Sequence, residues 1–246
     1  MSPIISKSLK TSDNHLVYYD VYRQNHKKVI VVAPGFFNSK EALLLKELGQ
    51  NLNDDYDVII LDFRGHGQSQ GLFYWTSKEY LDLLAVLQDA KEYYPTIGLI
   101  GFSLGAATSL IAMSRSDLVD SLIAVSAPAE FERIEYHFWQ LNPSLDIYYS
   151  LLSEGRIGKG VRPGPFWLPK EKPKDVVKLL HRPVFYIHGT KDWLIKPWHS
   201  EVLYQNTNSK IKKIEIVEGL PHAEYMMKTH PEIFVRKVKN WFQETL

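Results

Sequence analysis

Hydrophobic residues in this chain gather into short runs that are separated by longer stretches of mixed polarity. Continuously apolar runs are typical of strands covered on both faces of a parallel sheet. Five such runs are present: Val29 to Ala33, Val58 to Leu61, Ile97 to Ile100, Leu122 to Val125 and Val184 to Ile187. Two other runs alternate instead. His15 to Tyr22 is predicted as an edge or antiparallel strand, and Ile211 to Val217 as an edge strand.

The stretches between these runs predict helices. They are Lys40 to Leu52, Ser77 to Tyr94, Ala106 to Ser114, Pro197 to Gln205 and Pro231 to Leu246. Repeated strand–helix alternation predicts an α/β protein with a mostly parallel sheet and helices on both faces. Residues 130–175 break the alternation, are rich in aromatic side chains and include a Gly/Pro-rich run. We therefore expect one domain over residues 1–246, with a cap inserted at about 130–175.

Composition narrows the functional classes. The chain has 246 residues, a net charge of +1 and no cysteine, so disulfides, thiolate metal sites and cysteine nucleophiles are excluded. The chain has no basic stripe of the kind that would indicate a nucleic-acid partner. It also has no apolar run that is long enough for a membrane span. The N-terminus lacks the apolar core of a signal peptide, so a cytoplasmic location is expected. Neither a phosphate loop nor a two-histidine metal motif is present, and we expect no cofactor and no metal.

The motif Gly101-Phe102-Ser103-Leu104-Gly105 stands where an apolar strand gives way to a helix. In that setting G-x-S-x-G forms a nucleophile elbow, a tight turn that exposes the serine above the sheet edge. Glycine at 101 and 105 removes Cβ atoms that would clash in such a turn. Because a helix starts there, its amides also point at negative charge that forms beside Ser103.

A serine nucleophile needs a histidine base that is oriented by a carboxylate. In open α/β sheets, functional residues lie in loops at the carboxyl ends of strands. Asp192 follows the strand Val184 to Ile187, and His222 follows Ile211 to Val217. The order Ser103, Asp192, His222 is that of α/β-hydrolases. We therefore predict these three residues as a catalytic triad.

Other residues compete for these roles. Glu130, which follows the strand Leu122 to Val125, could supply the acid instead. Among the nine histidines, His199 and His230 lie in or at the start of predicted helices, which places them less well. His188 is expected to make structural hydrogen bonds near the site.

An oxyanion hole would complete the site. Gly35, after the strand Val29 to Ala33, allows a sharp turn that aims the next amide into the site. The predicted donors are the backbone N–H groups of Phe36 and Leu104.

These residues together resemble the α/β-hydrolase superfamily, especially its small single-domain esterases and its lysophospholipase- or serine-aminopeptidase-like members. The resemblance extends from the first strand to the last helix and implies a mostly parallel sheet of about eight strands. The run Asp62-Phe63-Arg64-Gly65-His66-Gly67-Gln68-Ser69 is similar to the family's D-x-R-G-H-G-x-S turn. The implied role of His66 and Ser69 is structural. His188-Gly189-x-x-Asp192 is likewise similar to the acid loop of the family.

The chain departs from the family pattern in two places. Pro34-Gly35 stands where members often have His-Gly, so the contacts of that histidine are missing although the backbone donor is kept. The segment from Glu130 to Asp175 matches no identified cap, and this segment normally sets the substrate. Substrate identity is therefore left open.

The predicted activity is hydrolysis of a small carboxylic ester with an apolar acyl or aromatic group. Predicted substrate contacts are Phe37, Phe131, Trp139, Trp193 and Tyr225. Three alternatives stay open. An aminopeptidase-like peptidase could hold a substrate ammonium with Glu130, Glu132 and Glu135. An acyltransferase would share every catalytic residue, and a ligand-binding protein could use the same scaffold without catalysis. The sequence gives no indication of the oligomeric state.

Overall fold

The computed structural model describes residues 3–134 and 161–246. Within these residues, eight strands form one sheet in the order β1-β2-β4-β3-β5-β6-β7-β8. The strands are β1 Ile4–Lys10, β2 Leu16–Tyr22, β3 Lys28–Ala33, β4 Asp57–Leu61, β5 Thr96–Phe102, β6 Ser121–Val125, β7 Val184–Gly189 and β8 Lys212–Val217. β3 to β8 run parallel to one another, whereas β2 pairs antiparallel with both β1 and β4.

The helices of the described residues are α1 Leu43–Leu52, α2 Glu79–Tyr93, α3 Leu104–Met113, α4 Pro173–Val176, α5 Trp198–Asn206, α6 Tyr225–Thr229 and α7 Pro231–Thr245. A single 3₁₀ turn, Val177–Leu179, follows α4. No helix among the described residues has the length and apolar content needed to cross a bilayer.

Two hydrophobic layers cover the two faces of the sheet. Successive residues of a strand point to opposite faces, so Val29 and Val31 pack into one layer and Ile30 and Val32 into the other. The first layer receives apolar side chains of α2, α3 and α5, and the second receives those of α1, α6 and α7. This confirms a mostly parallel sheet with helices on both faces.

Each strand and helix predicted from the pattern is present, with its ends shifted by a few residues. His15 to Tyr22 proves to be the antiparallel alternative, since β2 lies inside the sheet, and β8 is an edge strand as expected. The prediction missed β1, which is largely exposed at the opposite edge. It also missed the short helices α4 and α6, because one or two turns are too short to show a helical period.

The parallel order brings the functional loops together. β3, β5, β7 and β8 run in one direction, so their carboxyl ends lie along the same edge of the sheet. The loops that leave these ends carry Phe36, Ser103, Asp192 and His222.

Candidate active site

Ser103 occupies the turn between β5 and α3, with φ 52° and ψ −117°. Positive φ is costly for a residue that has a Cβ atom, and such strain is typical of functional sites. The turn is held by hydrogen bonding, because the Ser103 N–H donates to the carbonyl of Val125 at 2.9 Å. The Ser103 carbonyl accepts the first amides of the helix, from Ala106 and Ala107.

The two glycines of the motif allow close backbone approach. A Cβ atom on Gly101 would lie 2.6 Å from the Cα of Ala106, in the first turn of α3. A Cβ atom on Gly105 would lie 2.2 Å from the carbonyl oxygen of Pro34 and 2.3 Å from that of Ala33. The beginning of α3 therefore packs directly against the chain segment that leaves β3.

That segment is the predicted oxyanion loop. Its turn closes with a hydrogen bond from the Asn38 N–H to the Gly35 carbonyl at 3.2 Å. Gly35 lies so near the elbow that an added Cβ would be 3.4 Å from the Cβ of Ser103. Phe36 and Leu104 both line the same cavity as Ser103. The two predicted amide donors thus belong to residues that border one space.

His222 and Asp192 are in direct contact. The Nδ1 atom of His222 lies 2.8 Å from Oδ2 of Asp192, and both side chains are buried. The other oxygen, Oδ1, accepts the backbone N–H groups of Leu194 at 3.0 Å and Ile195 at 2.8 Å. The His222 loop is also tied to the end of β6, where Ser126 Oγ accepts the Ala223 N–H at 2.9 Å.

Asp192 is held as a carboxylate. Burial on its own would raise the pKa of Asp192, but His222 and His188 beside it hold that pKa well below its usual range. An ionised Asp192 accepts hydrogen bonds only, so the proton of the neutral His222 ring lies on Nδ1. The Nε2 atom of that tautomer carries no proton.

His188 is a buried neighbour of this pair. Its Nε2 atom lies 2.7 Å from the carbonyl oxygen of Ile195 and 3.2 Å from Oδ2 of Asp192. Because a carbonyl only accepts, Nε2 carries the proton, and Nδ1 accepts the hydroxyl of Ser200 at 2.7 Å. His188 therefore supports the turn that carries Asp192.

The alternative acid has other partners. The carboxylate of Glu130 forms ion pairs with Lys174 at 2.6 Å and with Arg133 at 3.5 Å. Hydrogen bonding from Lys174 is the main cause that lowers the pKa of Glu130. His199 is committed elsewhere too, since its Nδ1 accepts the Ala129 N–H at 3.0 Å. These contacts favour Asp192 over Glu130 as the partner of a catalytic histidine.

The turn after β4 braces the oxyanion loop. Asp62 accepts the N–H of Lys40 at 2.7 Å and that of Gln68 at 2.9 Å, and Ser69 Oγ donates to the Asp62 carbonyl at 2.6 Å. Burial raises the pKa of Asp62 to about 6, although the hydrogen bonds from these two backbone N–H groups act to lower it. His66 packs edge-on against Phe36, with ring centroids 6.0 Å apart. These contacts agree with the structural role implied for the turn.

An apolar cavity of about 450 Å³ opens beside Ser103. The described residues that line it are Phe36, Trp75, Ser103, Leu104, Phe131, Ile134, Phe166, Lys170, Leu194 and Ile195. Cavities of this size with few polar groups are typical of small-molecule sites.

Of the predicted substrate contacts, Phe131 lines this cavity. Phe37 is 40% exposed and packs on Phe36, with ring centroids 3.9 Å apart. The ring of Trp193 lies 6.1 Å from that of His222, and Tyr225 is buried in the second hydrophobic layer. Trp139 lies outside the described residues, as do residues 135–160 of the predicted cap.

Sequence reasoning missed several residues of the cavity wall. Leu194 and Ile195 could have been found, since an apolar pair directly follows the predicted acid. Trp75 lies in a loop without a periodic pattern, and only its tertiary contacts bring it to the cavity.

A strap, defined here as residues 161–172, carries part of this wall. It pairs with the loop after β4: the Phe73 N–H donates to the Arg162 carbonyl and the Gly164 N–H to the Phe73 carbonyl, both at 2.8 Å. Trp75 Nε1 donates to the carbonyl of Gly164 at 3.1 Å. The guanidinium of Arg162 donates to the backbone carbonyls of Ser69 and Gly71. The start of the strap is therefore fixed to the rest of the protein.

Comparison with known proteins agrees with this architecture. The family model for the alpha/beta hydrolase fold matches residues 28–145. In Bacillus subtilis (strain 168), the uncharacterized protein YqkD is 27% identical over 194 residues, which cover 73% of this chain and 60% of that protein. The uncharacterized hydrolase YugF of the same organism is 26% identical over 50% of this chain and 45% of its own length. The chain thus matches about half the length of these curated relatives.

Among solved structures, the esterase Pf2001 of Pyrococcus furiosus superposes with a TM-score of 0.81 at 20% identity. The superposition covers 99% of this chain and 93% of that one. The protein therefore has the α/β-hydrolase fold.

Proposed function

We propose that the protein is a serine hydrolase of carboxylic esters. Ser103 is the nucleophile, His222 the general base, and Asp192 the acid that orients His222. The observation that carries the proposal is the arrangement at one sheet edge. A strained serine elbow that borders an apolar cavity and a buried histidine–aspartate pair, with its bond at 2.8 Å, lie in loops at the same edge of the sheet.

In the proposed first half-reaction, Ser103 Oγ attacks the acyl carbon of the ester and its proton passes to His222 Nε2. The backbone N–H groups of Phe36 and Leu104 stabilise the oxyanion that forms. Collapse of this intermediate breaks the ester bond, and the alcohol leaves with the proton that His222 returns. Water then attacks the acyl-enzyme by the same route, releasing the acid and restoring Ser103.

The described residues favour ester substrates over the peptidase alternative. Glu130 is paired with Lys174, and Glu132 with Lys172 at 3.1 Å, so both carboxylates are already neutralised. Glu135 lies outside the described residues. A substrate ammonium would have to displace these lysines.

The predicted cap also enters the proposal. The described parts of residues 130–175 supply Phe131, Ile134, Phe166 and Lys170 to the cavity wall. We propose that this insertion shapes the pocket that selects the substrate, as expected of a long segment inside an α/β domain.

The first test is covalent labelling. A fluorophosphonate probe is expected to label the wild type at Ser103 and to leave Ser103→Ala unlabelled. Hydrolysis of p-nitrophenyl esters from acetate to palmitate is then compared among wild type, Ser103→Ala and Asp192→Asn. We expect loss of turnover in the first variant. In the second, kcat should fall by about 10²–10⁴, the usual contribution of general-base catalysis.

Two outcomes would contradict the proposal. Near-normal ester hydrolysis by Ser103→Ala would remove the nucleophile assignment, and a wild type that is neither labelled nor active would favour a ligand-binding protein. Adding alcohol acceptors during turnover separates the acyltransferase alternative, because a transferase forms a new ester in place of the free acid.

A further inference from the structure

The apolar cavity contains one charged wall residue among the described residues that line it. Lys170 is half-buried at the end of the strap and shares the cavity with Ser103. The remaining lining side chains, apart from Ser103, are aromatic or aliphatic. A cation in such a wall is unusual, because burying a charge is costly unless it is paired.

The hydrogen bonds of Lys170 leave room for a further acceptor. Its Nζ donates to the backbone carbonyls of Phe166 and Leu168, the latter at 3.3 Å. An ammonium group has three donors, so one N–H is not used by these contacts.

The charge of Lys170 is also not neutralised by a direct ion pair within residues 3–134 and 161–246. Burial lowers the pKa of Lys170, and the carboxylates of Glu132 and Glu79 offset part of this effect. Glu132 is itself bonded to Lys172 at 3.1 Å, while Glu79 accepts the Tyr74 N–H at 2.6 Å. Both carboxylates therefore have other partners.

Lys170 also stands where two cavities adjoin. A second cavity of about 360 Å³ is lined by Phe131, Glu132, Leu168, Pro169, Lys170 and Lys172. It shares Phe131 and Lys170 with the cavity beside Ser103. Lys170 thus lines both cavities, one of which also contains the proposed nucleophile.

We infer that the site takes esters whose non-reacting end carries an anionic group, which binds the ammonium of Lys170 while an apolar segment fills the cavity beside Ser103. The inference rests on the proposed function, since it names the substrate class of the same site. Binding an anion here supplies the third acceptor and the missing opposite charge in one contact. The backbone carbonyls of Phe166 and Leu168 hold the ammonium in place before the substrate arrives, which reduces the cost of binding.

The test compares esters that differ only at the far end. p-Nitrophenyl hexanoate ends in a methyl group, mono-p-nitrophenyl adipate ends in a carboxylate at the same position, and p-nitrophenyl 5-phosphonopentanoate ends in a phosphonate. For each protein, kcat/KM of each anionic ester is divided by kcat/KM of the hexanoate. The ratio for the carboxylate ester and the ratio for the phosphonate ester are compared separately among the variants.

We expect the wild type to favour at least one anionic ester. Lys170→Met should lower that preference about 10–100-fold, mainly through KM, as expected for loss of a charge-assisted hydrogen bond. Lys170→Arg should keep most of it, because it keeps the charge. The matched control is Lys178→Met, which removes an exposed lysine outside both cavities and should leave the preference unchanged.

A second measurement needs no variant. Raising the NaCl concentration from 0.05 to 0.5 M should lower the preference of the wild type for the anionic ester, because salt screens the attraction between the two charges. This keeps the inference testable if Lys170→Met does not fold, which thermal unfolding of each variant will show.

The inference is overturned if the wild type hydrolyses neither anionic ester more efficiently than the hexanoate. It is also overturned if Lys170→Met slows all three esters equally, which would assign Lys170 a structural role through the strap carbonyls. Failure of the proposed function looks different, because Ser103→Ala would then still hydrolyse the hexanoate or the probe would not label Ser103.

Discussion

Gly105→Ala tests the close packing between the start of α3 and the predicted oxyanion loop that follows β3. The new Cβ atom would lie 2.2 Å from the Pro34 carbonyl oxygen and 2.3 Å from that of Ala33, whereas real Cβ contacts essentially never fall below 3.0 Å. Both clashing atoms are backbone, so no side chain can rotate away. The start of α3 and the segment leaving β3 must separate by about 1 Å.

This separation would change the distance between the two N–H groups of the proposed oxyanion hole. The amides of Phe36 and Leu104 lie on the two segments that would be pushed apart. Displacement of about 1 Å is enough to cost about 10²-fold in rate, and loss of one oxyanion donor costs about 10²–10³. We therefore expect kcat to fall about 10²–10³-fold. Overpacking of this kind also costs about 1–3 kcal/mol, or a melting temperature lower by about 2–12 °C.

The assay measures kcat and KM on the best p-nitrophenyl ester, the rate of fluorophosphonate labelling, and thermal unfolding. Gly49→Ala is the matched control, because the nearest atom to its new Cβ is the side-chain terminus Ile60 Cδ1 at 3.2 Å. That variant should keep wild-type kcat. A folded Gly105→Ala protein with kcat within threefold of the wild type would refute the reasoning.

Three further predictions concern the scaffold around the site. Burial lowers the pKa of His66 from 6.5 to about 4. Between pH 6.5 and about 4 the imidazole is therefore protonated in the unfolded chain but not in the folded protein, so the free energy of unfolding falls as the pH is lowered through this range. The fall should be about 1.4 kcal/mol per pH unit, and urea unfolding from pH 7 to 4.5 should show a flatter profile for His66→Gln. Asn38→Ala removes the buried bond from the Asn38 amide to Glu224 and should lower the free energy of unfolding by about 1.5–3 kcal/mol, while Asn38→Ser, which can still donate, should lose less. Arg64→Met removes the two guanidinium N–H groups that donate to Oδ1 of the buried Asp82 and should cost about 3–5 kcal/mol; equal stability of variant and wild type in urea would contradict this.

Much of the fold follows from the sequence because the central strands are buried on both faces. Val29 to Ala33 and Leu122 to Val125 read as unbroken apolar runs for that reason. β1 escaped prediction because Ile4 and Ile5 lie exposed at the sheet edge, and serines and lysines fill most of the remaining strand. Its pairing with β2 is a tertiary contact that supplies no apolar pattern.

The candidate site also has a part that the sequence predicts and a part that it does not. Ser103, Asp192 and His222 were predictable as candidates because each follows a strand in a parallel sheet, where the topology itself brings loop ends together. The cavity wall was only partly predictable, since Lys170 reaches it through the pairing of Phe73 with the strap, nearly ninety residues away in sequence. No local periodicity encodes a contact of that kind.

In the turn after Asp192, the same two residues support the proposed catalytic acid and border the cavity. Leu194 and Ile195 hold the carboxylate through their main-chain N–H groups and also border the cavity. Any residue except proline supplies the same amide. We therefore expect substitutions at positions 194 and 195 to alter the proposed substrate preference while the proposed chemistry stays intact, which makes this pair a natural starting point for a mutational library.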